Sequence, residues 1–184
     1  GTDFSIYMDT DGLIHAGSGL DQVTWMDVRV GDWVATPRHG KPVEINALWY
    51  NALCTMDMLQ AKFGDNDDSY RQLASLVKTS FNKRFWNENT GCLYDVVDED
   101  DDTIRPNQIY AVSLPFTMLD KEREKAIVDT VMDKLYVGCG LRSLDPDHKD
   151  YHPIYIGSLS KRDHAYHQGT AWGFLLGGFI SAYV

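Results

Sequence analysis

The chain has 184 residues, the size of one domain, and 43% of them are hydrophobic, enough to build a core. Its 27 acidic residues against 17 basic ones give a net charge of −10. That excludes a general nucleic-acid surface, because a phosphate backbone demands a basic face. A neutral ligand is compatible with this charge, and the 12% aromatic content suits either a ligand cleft or an aromatic core.

Residues 4–16 alternate apolar and polar around Asp11-Gly12 and predict a short hairpin with a type I′ turn. Residues 17–40, rich in Gly, Asp and Trp, read as loop. A helix is expected from Pro42 or Val43 to Gly64. Val43, Ala47, Tyr50, Cys54, Met58 and Ala61 share one face of it, with Ile45, Leu48, Ala52, Leu53 and Met56 alongside, a width that predicts burial on more than one side. Asp67-Asp68-Ser69 opens a second helix to about Phe85, with Leu73, Leu76, Val77, Ser80 and Phe81 inward. A turn (Asn87 to Gly91), a strand (Cys92 to Val97) and an acidic run (Asp98 to Asp102) follow. The run reads as a solvated loop, since the Gly and Glu of a calcium loop are absent. Gln108 to Leu119 predicts a helix that either tolerates Pro115 early or is broken by it, and Lys121 to Leu135 an amphipathic helix with Ala126, Ile127, Val131 and Leu135 inward. Residues 136–168 read as irregular, with a strand at Gly140 to Leu144, and a last helix is expected over about Thr170 to Tyr183. The fold class is therefore mainly α, with paired helices and short β hairpins in the loops, in one domain over residues 1–184.

The three cysteines, Cys54, Cys92 and Cys139, have no metal-type spacing and read as reduced thiols of a cytoplasmic protein. The six histidines are scattered, without HExxH spacing, so neither a metal nor a cofactor is expected. No Gly-x-Ser-x-Gly or phosphate loop is present. No apolar run approaches the ~18 residues of a membrane span, and no signal peptide is visible. Gly1 is compatible with a start that is not the native one.

Two distant stretches gather the chemistry: Thr24 to Asn51, and Arg162 to Trp172. Both set carboxylates beside Trp, Tyr, Arg, His and amides, the mixture a carbohydrate site needs: flat faces for C–H surfaces, donors and acceptors for hydroxyls, carboxyls for glycosidic chemistry. Asp27 lies in a Trp-flanked loop, where aromatics disfavour an ionised carboxyl and so suit a proton donor, or it caps a turn. Glu44 sits in the first turn of a helix and either offsets the dipole or pairs with Arg38 six residues earlier. Asn107 either caps the helix after Arg105-Pro106 or binds a hydroxyl. His167-Gln168 are expected at the start of the last helix. Trp172 inside that helix reads as core.

Five motifs occur in order: Trp25-Met26-Asp27; Thr36-Pro37-Arg38-x-Gly40-Lys41-Pro42-Val43-Glu44-Ile45-x-Ala47-Leu48-Trp49-Tyr50-Asn51; Arg105-Pro106-Asn107-Gln108; Gly140-Leu141-Arg142-Ser143-Leu144; and Tyr166-His167-Gln168-Gly169-x-x-Trp172. From about residue 9 onward the chain closely resembles the amylo-α-1,6-glucosidase domain of glycogen debranching enzymes. The resemblance implies the C-terminal part of an α/α toroid of the six-hairpin glycosidase type. A part toroid leaves inner helix faces uncovered, which implies self-association or pairing with the remaining part.

The implied reaction is inverting hydrolysis of α-1,6-linked glucose at branch points of glycogen or limit dextrin. It uses one acid and one base roughly 6.5–9.5 Å apart. Asp27 matches the family's acid. Ala171 occupies the position of the glutamate base in His-Gln-Gly-Pro-Glu-Trp of eukaryotic members. Asp163 is the candidate base, with Glu44 behind it. Arg38, Glu44, Asn107, His167 and Gln168 are expected to hold hydroxyls of a branched α-glucan, and Trp25 to stack on a ring. The alternative is a glucan-binding or structural fragment that does not cleave.

Overall fold

The computed structural model describes residues 3–64 and 67–184; Gly1 lies outside the described residues. β1 (Tyr7–Met8) and β2 (Ile14–His15) form the expected antiparallel hairpin. Its turn differs from type I′. The Gly12 N–H donates to the Asp9 carbonyl at 2.9 Å, and of the turn residues only Gly12 has positive φ, at 80°. This is a type I turn closed by a left-handed glycine, which adds a residue to the loop. The longer loop sets Asp9 and Asp11 against the buried Lys41 ammonium, at 2.8 and 2.9 Å, with Asp98 at 3.6 Å. Arg84 joins the cluster through Asp11 at 2.7 Å and through Asp98.

The stretch expected to be loop holds a second hairpin, β3 (Arg29–Val30) with β4 (Trp33–Val34). β5 (Lys41–Pro42) leads directly into α1 (Val43–Phe63), which ends at Gly64, and α2 (Ser69–Arg84) packs against it. Burial of α1 holds for Val43, Ala47, Tyr50 and Leu53 and then fails: Met56 and Met58 are exposed, because the core ends with the third turn. On α2, Ala74, Val77 and Phe81 are buried while Leu76 is exposed, a narrower stripe than the pattern implied.

β6 (Trp86–Asn87) pairs with β7 (Cys92–Leu93), and β8 (Val96–Val97) pairs back onto β5. The single strand expected over residues 92–97 is thus two short ones, broken at Tyr94-Asp95. A 3-10 turn over Pro106–Ile109 continues into α3 (Tyr110–Ser113). That helix ends because the residue before a proline avoids the helical region, and Leu114 before Pro115 is extended. α4 (Lys121–Lys134) starts at Asp120, whose carboxylate accepts from the Arg123 N–H at 2.9 Å.

β9 (Leu141–Arg142) is present as expected, whereas α5 (Leu159–Tyr166) was read as irregular. The expected last helix is divided. β10 (Ala171–Trp172) pairs with β9, and only α6 (Leu176–Tyr183) is helical. Trp172 is therefore a strand residue, not part of a helix.

The architecture is mainly helical with short antiparallel strand pairs. One core joins α1, α2, the 106–113 segment, α4 and α6 through Val43, Leu53, Phe81, Phe85, Ile109, Ile127, Val131 and Phe179. Among the described residues no helix is long and apolar enough to cross a membrane.

Phe81 is fully buried and stacks on Phe85 with ring centroids 4.4 Å apart. Phe81→Ala should lower unfolding free energy by about 3–5 kcal/mol in urea titration, the usual cost of deleting a buried aromatic.

Candidate functional site

The sugar-handling motifs converge on one buried polar network. Arg38 is its centre. Its guanidinium donates from Nη1 and Nη2 to the two Glu44 oxygens at 2.5 and 2.6 Å. It also donates from Nε and Nη2 to the Asp95 carboxylate at 2.6 and 3.1 Å. All three side chains are almost fully buried. Asn107 donates to Asp95 Oδ1 at 2.8 Å and accepts from the Trp25 indole N–H at 2.7 Å. The chain reaches this geometry through β5: its pairing with β8 brings Arg38 and Asp95 together from positions 57 residues apart.

Glu44 therefore pairs with Arg38, and Asn107 neither caps a helix nor faces solvent. Asp95 was not foreseen as a site residue. The available signal was a lone carboxylate in the otherwise apolar run Cys92 to Val97, since a buried charge must be paired.

The network fixes the position of Asp27. The preceding Met26 is buried, with its sulfur 3.7 Å from Arg105 Nη1 and 3.8 Å from Asn107 Nδ2, and its carbonyl accepts from Thr36 at 3.1 Å. Asp27 itself is exposed. Trp25 is half-buried, its ring edge-on to His167, Trp172 and Phe174 at 5.1 to 5.5 Å, within an aromatic cluster instead of standing free as a platform.

Arg105 is the strut to the second stretch. Nη1 donates to the Ser143 and His167 carbonyls at 3.0 and 2.8 Å, and Nη2 to Gln168 Oε1 at 2.8 Å. Gln168 in turn donates to the Ala35 carbonyl at 3.2 Å. His167 and Gln168 thus follow α5 and precede β10, where a place at a helix start was expected. Gly169 has φ 143°, and a Cβ there would lie 2.4 Å from the His152 carbonyl, so only glycine fits this close approach. Asp163 is half-buried on α5, and Ala171 is exposed in β10 opposite Arg142. The β3–β4 hairpin reaches α5 through Trp33, stacked on His164 at 4.2 Å.

The electrostatics follow from two buried cations and two buried anions. Burial alone would discourage the Arg38 charge, but Asp95 and Glu44 outweigh it and hold the guanidinium above its ordinary value. Arg105 is shifted the other way by burial, helped by repulsion from Arg38 and opposed by Asp95. Burial, then Arg105 and Arg38, lower His167 to about 4, so its imidazole is neutral. Among the described residues, no ion pair or hydrogen bond engages the Asp27 or Asp163 carboxylate, whereas Glu44 and Asp95 are committed to Arg38. No cluster of three or more metal-ligand side chains occurs among the described residues.

Asp95→Ala should destabilise the chain by about 3–5 kcal/mol in chemical denaturation, because it leaves two buried guanidiniums, Arg38 and Arg105, facing the single buried carboxylate of Glu44. For His167 the folded state binds its proton near pH 4 and the unfolded state near 6.5. Between these values the unfolded chain holds more protons, so stability falls as pH drops, by at most about 1.4 kcal/mol per pH unit. Melting temperatures across that window should show the slope, and His167→Gln should flatten it.

A family model described as amylo-alpha-1,6-glucosidase matches residues 1–184. The chain is also similar to the glycogen debranching enzyme of Saccharomyces cerevisiae, at 28% identity over 232 residues. That match covers 100% of this chain, which spans 15% of the length of the yeast protein. Because the family match extends over all the residues that build the fold and the network, the chain belongs to the amylo-alpha-1,6-glucosidase family.

Proposed function

We propose that this chain is a glycoside hydrolase module that removes α-1,6-linked glucose at branch points of glycogen or limit dextrin, with inversion. Asp27 is the general acid and Asp163 the general base. The observation that carries the assignment is the division of labour among the carboxylates. Glu44 and Asp95 are locked to Arg38, which leaves neither free to take a proton. Asp27 and Asp163 have no such commitment among the described residues. Inverting hydrolysis needs two carboxyl groups on separate elements, one protonated and one ionised, with water between the sugar and the base.

Arg38, Glu44, Asn107, His167 and Gln168 act beneath the sugar. They hold the Trp25-Met26-Asp27 segment and the end of α5 in fixed relation, through Met26 on one side and the Arg105 strut on the other. The neutral His167 supports that role, because a second cation beside Arg105 would disrupt it. The helices form part of an α/α toroid, and exposed Met58, Phe63, Phe174 and Ile180 are supported as surfaces for further helices or a second copy. Free thiols at Cys54, Cys92 and Cys139 support a reducing, cytoplasmic setting.

A second reading rests on Ala171, which has no proton-accepting group at the position where eukaryotic members carry glutamate. On that reading the chain binds glucan without cleaving it.

The test is glucose release from a branched limit dextrin. Asp27→Asn and Asp163→Asn should each reduce release by about 10²–10⁴-fold, the usual contribution of an acid or base. Unchanged turnover in either variant removes that residue from its role, and no release from the unaltered chain favours binding alone.

A further inference from the structure

Asp27 has different supports on its two sides. Met26 before it is wedged into the buried network. Val28 after it closes the base of the β3–β4 hairpin, where its carbonyl accepts from the Ala35 N–H at 3.0 Å. The orientation of that hairpin therefore bears directly on Asp27. Arg29 stiffens it, donating from Nε to the Gly31 carbonyl at 2.8 Å across the turn. A longer tie, from Arg29 Nη1 to the Leu20 carbonyl at 3.4 Å, is exposed and does not reach α5.

Two contacts fasten the hairpin to α5 and the turn after it. At the base, Gln168 Nε2 donates to the Ala35 carbonyl at 3.2 Å. Two residues further out, the Trp33 indole lies on the His164 imidazole, with 4.2 Å between centroids and 24° between planes. His164 directly follows Asp163. With the base tie alone the hairpin can pivot about it, and a second attachment away from the base removes that freedom. His164 is itself pinned. Its Nδ1 lies 2.7 Å from the Ser160 carbonyl, one helical turn earlier. A carbonyl oxygen only accepts, so Nδ1 carries the proton and the ring is fixed to its helix. Neither ring belongs to the core: Trp33 is 37% exposed, and His164 is exposed as well.

We infer that the Trp33–His164 stack is a positioning contact for the proposed reaction, fixing the segment that carries Asp27 against the helix that carries Asp163. The inference rests on the hydrolase reading above. Neither ring touches the sugar. Inverting hydrolysis works only over a limited separation of acid and base, roughly 6.5–9.5 Å, with water between sugar and base. A misplacement of about 1 Å costs up to about 10²-fold in rate. A pivoting hairpin leaves Asp27 out of place part of the time, so the loss falls on the chemical step and not on substrate binding.

The test is steady-state kinetics of glucose release from limit dextrin by the full chain. Trp33→Ala and His164→Ala should each lower kcat and kcat/KM by about three- to tenfold, the scale of one stacked pair, with KM changed by less than about twofold. Trp33→Phe keeps a stackable ring and should retain about half of kcat or more. The double alanine variant should lose no more than either single one, because the pair acts as a unit. Far-UV circular dichroism and thermal melts check folding, and His164→Ala, on an exposed helix face, guards against a collapsed hairpin in Trp33→Ala. An unchanged kcat in folded variants, even with a lower melting temperature, makes the stack a stabilising contact alone and overturns the inference. Losses that multiply in the double variant overturn it too, as does a raised KM with kcat unchanged, which places the rings on the sugar. Release that depends on Asp27 and Asp163 but not on the two rings overturns this inference and leaves the hydrolase reading standing. No release from the unaltered chain overturns both.

Discussion

The rest of the structure depends on how the Arg38 charge is tolerated where no water reaches it. A buried guanidinium is costly unless its fork is filled, and here two carboxylates fill it, one of them held in turn by the Asn107 amide. Each partner arrives on a different element: Glu44 on the first turn of α1, Asp95 at the break between β7 and β8, Asn107 in the 3-10 turn. The demand for charge balance thus acts as a geometric instruction. It explains why the strand over residues 92–97 is interrupted: an unbroken strand would carry Asp95 past the guanidinium. It also explains why a pairing as short as β5–β8 suffices, since ionic contacts reinforce its few ladder bonds.

The Arg38–Glu44–Asp95–Asn107 part of this network is rigid, because moving any member leaves another unpaired in a low-dielectric setting. That rigidity passes outward to two exposed places. Met26, wedged against Arg105 and Asn107, holds the residue after it. Arg105, bonded to the His167 carbonyl and to Gln168, holds the end of α5. Carboxylates without a partner among the described residues, Asp27 and Asp163, therefore stand on a platform whose own carboxylates are paired. The division follows from burial: Glu44 and Asp95 are buried and so must be paired, whereas Asp27 is solvated and need not be.

The long amphipathic helices were legible in the sequence, because their apolar spacing and stop signals agree: α1 ends at its glycine, α4 begins at its aspartate cap, and Leu114 yields to Pro115. Residues 159–166 were not, since Leu-Ser-Lys-Arg-Asp-His-Ala-Tyr has little apolar periodicity and fully buries only Ala165. Trp172 misled in the opposite sense. An apolar run reads as helix or strand alike, and the tertiary pairing of β10 with β9 decided it. At the site, residue types and their clustering in sequence were visible, but partnership was not. Asp95, Arg105 and Trp33 acquire meaning only through contacts between distant segments, and no local spacing encodes these.

The Gln168 side chain donates to the Ala35 carbonyl across 133 residues of chain, and Trp25 meets Asn107 across 82. Closing such spans costs backbone entropy before any contact rewards it, so this topology belongs with slowly folding, highly non-local domains. During synthesis Arg38 and Glu44 emerge together and before their partners, a neutral pair that can wait in water. Arg105 and the His167-Gln168 turn, which lie further along the sequence, complete the assembly later. The centre of the molecule is therefore among the last parts to become dry. Until then its charges keep the emerging polypeptide hydrated, which protects it from premature collapse and self-association.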